Sequence, residues 1–363
     1  MIIKFQMTSI EYHEYIGVIH IHSRYSDGSG SIKKIVKAAK ESSLDYIIIT
    51  DHNNIKAIRK GHEGWHDGVF VLVGEEVGKR RREHYLALGI TEEIKPEIYR
   101  NNIQKYAKVV TAQNGFGFAA HPNSLHNSSF HINLEGWHSW DNIDYTGIEV
   151  WSYMHDWSKN INLLNIFYYF IHPERAIDGP PSDLLEKWDQ LCQKRRIVGI
   201  ASSDAHARYL FPFKFMQFLS YKRTFKALRT HLLIQAQFCY NLSEDKELLY
   251  AALRSGHCFF AHDFLADSSG FSFGVYTDKG LCAIMGDEFI LESPAWIKVS
   301  SPVSAKISLI KDGKKITEKA DEMIMVIDDC GVYRVEAEYD SKPWVFTNPI
   351  YIRTGEGAVK SIK

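Results

Sequence analysis

Residues 17–30 read Gly-Val-Ile-His-Ile-His-Ser-Arg-Tyr-Ser-Asp-Gly-Ser-Gly and decide how the rest of the chain is interpreted. An apolar strand leads into His20 and His22, and Asp27 follows in a Ser-Asp-Gly turn. Residues two apart in a strand point to the same face, so both imidazoles can reach one metal ion. The turn can bend the Asp27 carboxylate back towards them. Because the chain has 17 histidines, the pair taken alone also fits chance.

Four further apolar runs, at 44–50, 69–73, 117–120 and 197–201, also end next to residues that can bind a metal. They lead to these side chains: His52, Glu76, His121, Asp204 and His206. Helical periodicity separates several of the runs, for example at 31–41, and this alternation predicts an α/β fold with a parallel sheet or barrel. Barrel enzymes carry their chemistry at the carboxyl ends of the strands. The pattern therefore predicts one site at that edge.

From about residue 270 the sequence changes to short alternating runs separated by turns. This pattern is typical of an all-β, immunoglobulin-like sandwich. We therefore predict a hydrolase barrel over 1–240, a helical connector over 241–269 and a β-sandwich over 270–363.

Composition limits the function classes. The net charge is −1, which disfavours general nucleic-acid binding. The longest apolar stretch, 163–171, is too short to span a bilayer, and the N-terminus lacks the pattern of a secretory signal. Five scattered cysteines without Cys-x-x-Cys spacing indicate reduced thiols. We expect a cytoplasmic protein that binds neither membranes nor nucleic acid in general; the oligomeric state stays open.

Five motifs occur in an order that resembles one known superfamily. They are His20-x-His22 with Asp27, Thr-Asp-His-Asn at 50–53, Gly74-x-Glu76, His121-Pro122 and Ser-Asp-Ala-His at 203–206. Over about residues 14–210 the sequence resembles the polymerase and histidinol phosphatase (PHP) metal-dependent phosphoesterases. The stretch Glu-His-Tyr-Leu-Ala-Leu-Gly at 83–89, the pair Trp188-Asp189 and the ending at 343–351 look like the carbaryl-hydrolase (CehA-like) branch.

The resemblance implies a distorted (β/α)7 TIM-like barrel with two or three divalent ions, zinc, manganese or iron. It implies a first metal held by His20, His22, Glu76 and Asp204, and a second held by Asp27, His52 and His206. Glu76 would bridge to a third position with His121 and His155. His84 is implied either as a ligand in place of His155 or as a proton donor. Catalytic roles then fall to Glu76, Asp204 and His84.

The residue types agree with this chemistry. Imidazoles and carboxylates without cysteine suit zinc, manganese or iron, and such ions activate water near neutral pH. A phosphate also needs a cationic side chain, and the candidates are Arg24, Arg208 and, in the run 80–82, Arg82. Each arginine also fits a solvated loop. Asp51 could orient an imidazole or cap a helix after Asn53.

The predicted function is hydrolysis of a phosphomonoester or phosphodiester of a small organic molecule or nucleotide. A carboxyl ester or carbamate is the alternative substrate, because the same metal-bound hydroxide can attack a carbonyl carbon. A second alternative is a binding or scaffold protein that keeps its metal for stability.

Overall fold

The computed structural model describes residues 11–141, 144–209, 217 and 219–355. The α-helices in these ranges are α1 (Ile32–Lys40), α2 (Lys56–Arg59), α3 (Ile103–Ala112), α4 (Tyr153–Asn160), α5 (Ile166–Ile171), α6 (Ser182–Cys192), α7 (Tyr221–Thr224) and α8 (Leu242–Ser255). The strands of the N-terminal part are β1 (His13–Ile21), β2 (Tyr46–His52), β3 (Gly64–His66), β4 (Val69–Val77), β5 (His84–Leu88), β6 (Phe116–Ala120), β7 (Leu125–Asn127), β8 (Ile132–Leu134), β9 (Gly147–Ser152), β10 (Val198–Ser202) and β11 (Leu228–Ile234). Those that follow are β12 (Cys258–His262), β13 (Ser272–Thr277), β14 (Gly280–Ile284), β15 (Glu288–Ile290), β16 (Ala295–Ser300), β17 (Lys306–Lys311), β18 (Lys314–Ala320), β19 (Glu322–Ile327), β20 (Gly331–Tyr339), β21 (Lys342–Thr347) and β22 (Ile350–Arg353).

Seven strands surround the candidate site, in the order β10-β9-β6-β5-β4-β2-β1. The two ends of this series meet, because the Ser203 N–H donates to the Ile19 carbonyl at 3.0 Å and Ala205 bridges to Ile21. The pairs β1/β2, β2/β4, β6/β9 and β9/β10 are parallel, so the carboxyl ends of these strands lie at one edge.

Strand β5 departs from the predicted alternation of strand and helix. It is antiparallel to both β4 and β6 and follows β4 through a short turn without a crossover helix. A hairpin needs only a short connection, whereas a parallel return needs a crossover. The hairpin brings His84, the first residue of β5, back over the end of β4.

The core explains why these segments form these elements. Every residue of β4 is buried, as expected for a strand covered on both faces of a mainly parallel sheet. Helix α1 buries one face through side chains at the i, i+3, i+4, i+7 spacing: Ile32, Ile35, Val36 and Ala39. These pack with apolar residues of β1, β2 and β4 in one cluster.

The sheet continues into the C-terminal part. Strand β11 pairs antiparallel with β1 and β12, and β12 pairs with β21. A separate four-stranded sheet, β14-β13-β16-β19, packs against the C-terminal strands through one apolar cluster that includes Val275, Ile297, Ile307 and Val335. The predicted mixed α/β fold with a second, β-rich part is confirmed; the (β/α)7 TIM-like barrel and the immunoglobulin-like sandwich stay predictions.

The boundaries 1–240, 241–269 and 270–363 also stay predictions, with one correction to the middle segment. It contains α8 as predicted, but also β12, which joins the two parts of the large sheet. The five residues of β12 are a short apolar run, and periodicity alone does not assign such a run to strand or helix.

A buried ion pair connects the C-terminal strands to helix α6 of the N-terminal part. Arg334 of β20 donates from Nε and Nη2 to the two carboxylate oxygens of Asp189 in α6, at 2.6 and 2.7 Å. The guanidinium also lies over the Trp188 ring, 5.4 Å from its centroid. In the described ranges, none of the helices combines the length and apolar character needed to cross a bilayer.

Candidate metal centre

The structure brings eight of the predicted metal ligands together at the carboxyl edge of the seven strands, and His84 joins them. They form four overlapping groups in which ligand atoms lie within 4.8 Å of one another: His22, Asp27, His52 and His206; His20, His22 and Asp204; His20, Glu76 and His121; His52, Glu76 and His84.

Glu76, near the end of β4, is the centre of the cluster. Its Oε2 lies 3.2 Å from Nε2 of both His20 and His22 and 3.0 Å from Nδ1 of His52. Its Oε1 lies 3.1 Å from Nε2 of His121 and 2.6 Å from Nδ1 of His84. The two oxygens therefore face different sets of histidines, which is the arrangement that a bridging carboxylate requires.

Three buried atoms fit a metal ion particularly well. Nε2 of His20 and Nε2 of His22 both lie 3.2 Å from Oε2 of Glu76, yet none of these three atoms has the geometry of a hydrogen bond with a described residue. Oδ1 of Asp204 lies 3.5 and 3.2 Å from the same two nitrogens. Buried polar atoms are nearly always paired, because leaving one unpaired is costly. Convergence of such atoms on one point fits a cation that satisfies them together.

A more open group lies beside this one. Nε2 of His206 is 3.1 Å from Oδ1 of Asp27, and Nδ1 of His22 is 3.7 Å from the same oxygen. Nε2 of His52 lies 3.8 Å from it. The Asp27 side chain is 39% exposed, so this second group faces the solvent side of the cluster.

The carboxylates and imidazoles of the cluster shift one another's pKa strongly. Burial by itself raises the pKa of Glu76, but the charges of His52 and His20 outweigh it and hold that pKa well below its usual range. Burial lowers the pKa of His52, whereas the Glu76 and Asp27 carboxylates outweigh this and raise it to about 9. Protons and metal ions therefore compete for these imidazoles, and metal affinity should rise with pH.

Three of the ligands sit on a strained backbone. His20, His121 and Asp204 have φ angles of 67°, 27° and 47°, in the left-handed region that residues other than glycine rarely adopt. Such conformations cost of the order of 1–3 kcal/mol each and concentrate at functional sites. At His20 the pairing of β1 with β2 also shifts register, which turns this imidazole towards the cluster.

Glu149, in β9, is a site residue that the sequence interpretation missed. Its Oε1 accepts a hydrogen bond from Nδ1 of His20 at 2.7 Å, and its Oε2 accepts the His121 N–H at 2.6 Å. It thereby fixes the orientation of one ligand and the backbone of another, which metal-bound histidines usually require. The sequence offered one signal, because Glu149 is a single carboxylate inside the mostly apolar run Gly-Ile-Glu-Val-Trp of 147–151.

Asp51 has neither of its two predicted roles. Its carboxylate accepts the backbone N–H of Ser23 at 2.8 Å and the hydroxyls of Ser23 and Ser26 at 2.6 and 2.5 Å. Helix α2 begins later, after Ile55. Asp51 thus holds the turn between His22 and Asp27 in place.

His155 and His84 were the two alternatives for the third metal position, and they lie in different surroundings. His155 lies outside the ligand groups: its Nε2 donates to the Asn123 carbonyl at 3.0 Å, and burial, with a contribution from His121, lowers its pKa to about 4. Helix α4 begins at Tyr153, and His155 in its first turn lines a small cavity together with His121, with Nε2 bound to the main chain and not to Glu76. His84 instead joins Glu76, and its Nε2 donates to the Lys79 carbonyl at 3.2 Å.

A cavity of about 800 Å³ lies over the cluster, and two arginines line it. Arg208 forms an ion pair with Asp27. Arg80, from the run 80–82, faces the cavity and forms no hydrogen bond or ion pair with any described residue. The other two predicted arginines lie elsewhere: Arg82 pairs with Glu135 at 2.8 Å, and the Arg24 guanidinium lies 6.0 Å from the centre of the Tyr25 ring.

The chain is similar to several solved structures. One is a two-domain Bacteroides vulgatus protein containing a predicted PHP-like metal-dependent phosphoesterase, at 14% identity over 93% of this chain and 95% of that chain, with a TM-score of 0.45. Another is a candidate metal-dependent phosphoesterase from Bifidobacterium adolescentis, at 13% identity over 52% and 87%, with a TM-score of 0.36. A third is a Chromobacterium violaceum amidohydrolase with bound sulfate and no metal, at 14% identity over 52% and 87%, with a TM-score of 0.30. Similarity at these values says nothing about the substrate.

No curated protein matches the chain. The family model of the PHP domain matches residues 19–333, which include the ligand-bearing strands and most of the C-terminal part. With this match over most of its length, the chain belongs to the PHP domain family.

Proposed function

We propose that the protein is a metal-dependent phosphoesterase that hydrolyses a phosphomonoester or phosphodiester of a small organic molecule or nucleotide. The observation that carries the proposal is the convergence of three unpartnered buried atoms, on His20, His22 and Glu76, beside the Asp204 carboxylate. The cofactor is two or three divalent ions, zinc, manganese or iron, since imidazole and carboxylate ligands suit all three.

The ligands divide into three positions. His20, His22, Glu76 and Asp204 would hold the first ion; Asp27, His52 and His206 would hold the second; Glu76, His121 and His84 would hold the third. His84 is better suited to bind the third ion than to donate a proton, because Nε2 already donates to the Lys79 carbonyl. Bound divalent ions supply a hydroxide near neutral pH and neutralise charge on the phosphoryl group.

The remaining side chains bind and orient the substrate. Arg208 and Arg80 face the cavity and can donate to the oxygens of an anionic ester. The cavity volume of about 800 Å³ lies within the range of roughly 300–1,000 Å³ that is usual for small-molecule sites. Glu149 keeps His20 in one orientation through its Nδ1. These features support a small anionic substrate.

Metal content tests the first half of the proposal. Plasma mass spectrometry of the purified, reconstituted protein should find two or three equivalents of zinc, manganese or iron, and a His52→Ala variant should hold about one fewer. A wild-type protein that binds no transition metal after reconstitution would overturn the proposal.

A panel of esters tests the second half. We expect hydrolysis of p-nitrophenyl phosphate or bis-p-nitrophenyl phosphate and little of p-nitrophenyl acetate. Activity on the acetate alone would refute the phosphoesterase and favour the carboxyl ester or carbamate hydrolase that the carbaryl-hydrolase-like motifs suggest. Full metal content without turnover of any ester would favour a binding protein.

We also propose a cytoplasmic location. All five cysteines carry free thiols, in agreement with a reducing compartment. Reaction of the unfolded protein from cells with a thiol reagent should modify all five; fewer would indicate a disulfide and contradict the proposed location.

A further inference from the structure

Along the edge of β10 that faces away from β9, side chains make part of the hydrogen bonds that a neighbouring strand would make. Strand β10 leads directly to Asp204 and His206, so its path decides where two ligands lie. Its Val198 N–H donates to the Thr146 carbonyl at 3.1 Å, on the side of β9. Because peptide groups alternate along a strand, those of 199, 201, 203 and 205 face away from β9. Each of these buried groups needs another partner.

Near the ligands, β1 supplies these partners with its main chain. The Ser203 N–H donates to the Ile19 carbonyl at 3.0 Å, and the Ala205 N–H donates to the His20 carbonyl at 3.2 Å. The His22 N–H returns a bond to the Ala205 carbonyl at 2.9 Å. The two ligand-bearing segments are therefore held directly to each other.

At Ala201 and Gly199, earlier in β10, side chains make these hydrogen bonds instead of a main chain. Thr230 of β11 accepts the Ala201 N–H at 3.3 Å and donates its hydroxyl to the Ala201 carbonyl at 3.1 Å. Asn348 accepts the Gly199 N–H at 2.7 Å and donates to the Gly199 carbonyl at 2.9 Å. Its amide also donates to the Cys258 carbonyl at 2.9 Å. Each side chain thus reproduces the two bonds that a neighbouring strand would make.

Both side chains are built into the interior. Thr230 is fully buried and Asn348 is 1% exposed, so water cannot replace the bonds they make. Removing either side-chain group would leave a peptide N–H and a carbonyl of β10 unpaired in the interior, which is costly enough to make the strand shift towards new partners. A shift of β10 moves Asp204 and His206 relative to the ligands on β1.

We propose that Thr230 and Asn348 are positioning residues of the metal centre. They replace a missing strand along β10 and set the path that places Asp204 and His206. Since Asn348 follows β21, the C-terminal part of the chain contributes to the geometry of the metal site. This proposal rests on the metal centre of the proposed function, but not on the identity of the ester.

Cobalt binding to the apoprotein, followed by visible absorbance, tests the proposal without any turnover. Thr230→Val keeps the shape of the side chain and removes the hydroxyl, and Thr230→Ser keeps the hydroxyl. We expect Thr230→Val and Asn348→Ala to weaken cobalt affinity about 10-fold, the lower end for residues that orient metal ligands, and to change the cobalt spectrum. Thr230→Ser should stay close to wild type.

Thr347→Val is the matched control, because Thr347 is also buried and accepts the Val335 N–H at 2.9 Å, away from β10. It should lower the melting temperature of the apoprotein and leave cobalt affinity unchanged. Wild-type affinity in folded Thr230→Val and Asn348→Ala would refute the positioning role, as would an equal loss in Thr347→Val. If Asn348→Ala does not fold, Thr230→Val decides. A wild-type protein that binds no cobalt refutes the metal centre itself.

Discussion

The candidate metal centre and a second buried cluster around His231 contain the same kinds of residue but differ in one respect. In the second cluster, Nδ1 of His231 lies 2.6 Å from Oε1 of Glu14, and Nε2 lies 3.0 Å from Oδ2 of Asp263. Both ring nitrogens of His231 therefore make hydrogen bonds, whereas Nε2 of His20 and Nε2 of His22 lie near carboxylate oxygens without making a hydrogen bond to any described residue. A buried group of histidines and carboxylates does not by itself mark a metal site. Convergence of atoms that the protein leaves unpaired is the more informative feature.

The His231 cluster is better explained as a structural element. It joins β1, through Glu14, to β11 and to the segment after β12, where Ser268 donates to Oδ1 of Asp263 at 2.6 Å. Burial lowers the pKa of His231, but the Asp263 and Glu14 carboxylates outweigh it and raise that pKa to about 9. The imidazole is therefore a buried cation between two carboxylates near neutral pH.

The largest expected effect comes from removing both unpartnered nitrogens. The double variant His20→Ala, His22→Ala should lose bound metal and reduce turnover of the active ester about a thousandfold or more, since metal ions contribute several kcal/mol to such reactions. Plasma mass spectrometry and steady-state assays with added metal measure this. Undiminished hydrolysis would refute the assigned site and remove the basis of the comparison.

The corresponding variant in the second cluster should behave in the opposite way. His231→Ala leaves the Asp263 carboxylate buried without its main partner and should lower the free energy of unfolding by about 3–5 kcal/mol. Metal content and turnover well below the melting temperature should not change. Urea titration and metal analysis of the same preparation check this, and a loss of metal would show that the two clusters are not independent.

The convergence of the candidate ligands could be predicted because they lie at strand ends. Apolar runs identify β2, β4, β6 and β10 without knowledge of their partners, and the ends of parallel strands meet at one edge. The sequence next to each run is then enough to name His52, Glu76, His121 and Asp204. Helix α1 was predictable for a similar reason, since its buried face follows the helical period.

The groups that orient these ligands could not be predicted, because their partners are far away in the chain. Glu149 is 129 residues from His20, and Asn348 is 149 residues from Gly199. No periodicity connects such pairs. The same limit affected His155, whose direction depends on where α4 begins, and His84, which reaches Glu76 only because β5 returns as a hairpin. Local patterns predict elements, and tertiary packing decides which side chains meet.

A smaller effect is expected from pH, and it belongs to the second cluster. The pKa of His231 rises from 6.5 to about 9 on folding, so its contribution to stability is complete below pH 6.5 and is lost as the pH rises through 9. This contribution is about 3 kcal/mol, at roughly 1.4 kcal/mol per pKa unit. Urea unfolding of wild type and His231→Ala at pH 6 and at pH 10, with chelator present, measures it. If the free energy of unfolding falls equally in both proteins between pH 6 and pH 10, a group other than His231 titrates.

The smallest expected effect extends the comparison to the surface, at Arg80 and Arg82. Arg82 is 64% exposed and already paired with Glu135, and such surface pairs contribute about 0–1 kcal/mol. Arg82→Ala should therefore reduce the free energy of unfolding by less than about 1 kcal/mol and leave KM unchanged.

Arg80 faces the cavity without a partner among the described residues, so Arg80→Ala should raise KM for an anionic ester about fivefold, equivalent to ~1 kcal/mol.

The comparison with Arg82→Ala separates this explanation from a general loss of positive charge. The difference in KM between wild type and Arg80→Ala should shrink as ionic strength rises, because salt screens an exposed charge. Arg82→Ala removes the same charge two residues away and is therefore the control. Equal changes in KM for the two variants would mean that the local field, and not an unpaired guanidinium, attracts the ester. Unequal changes would extend the comparison of the two buried clusters to the cavity mouth, where Arg80, which has no partner among the described residues, would bind the ester and Arg82, already paired with Glu135, would not.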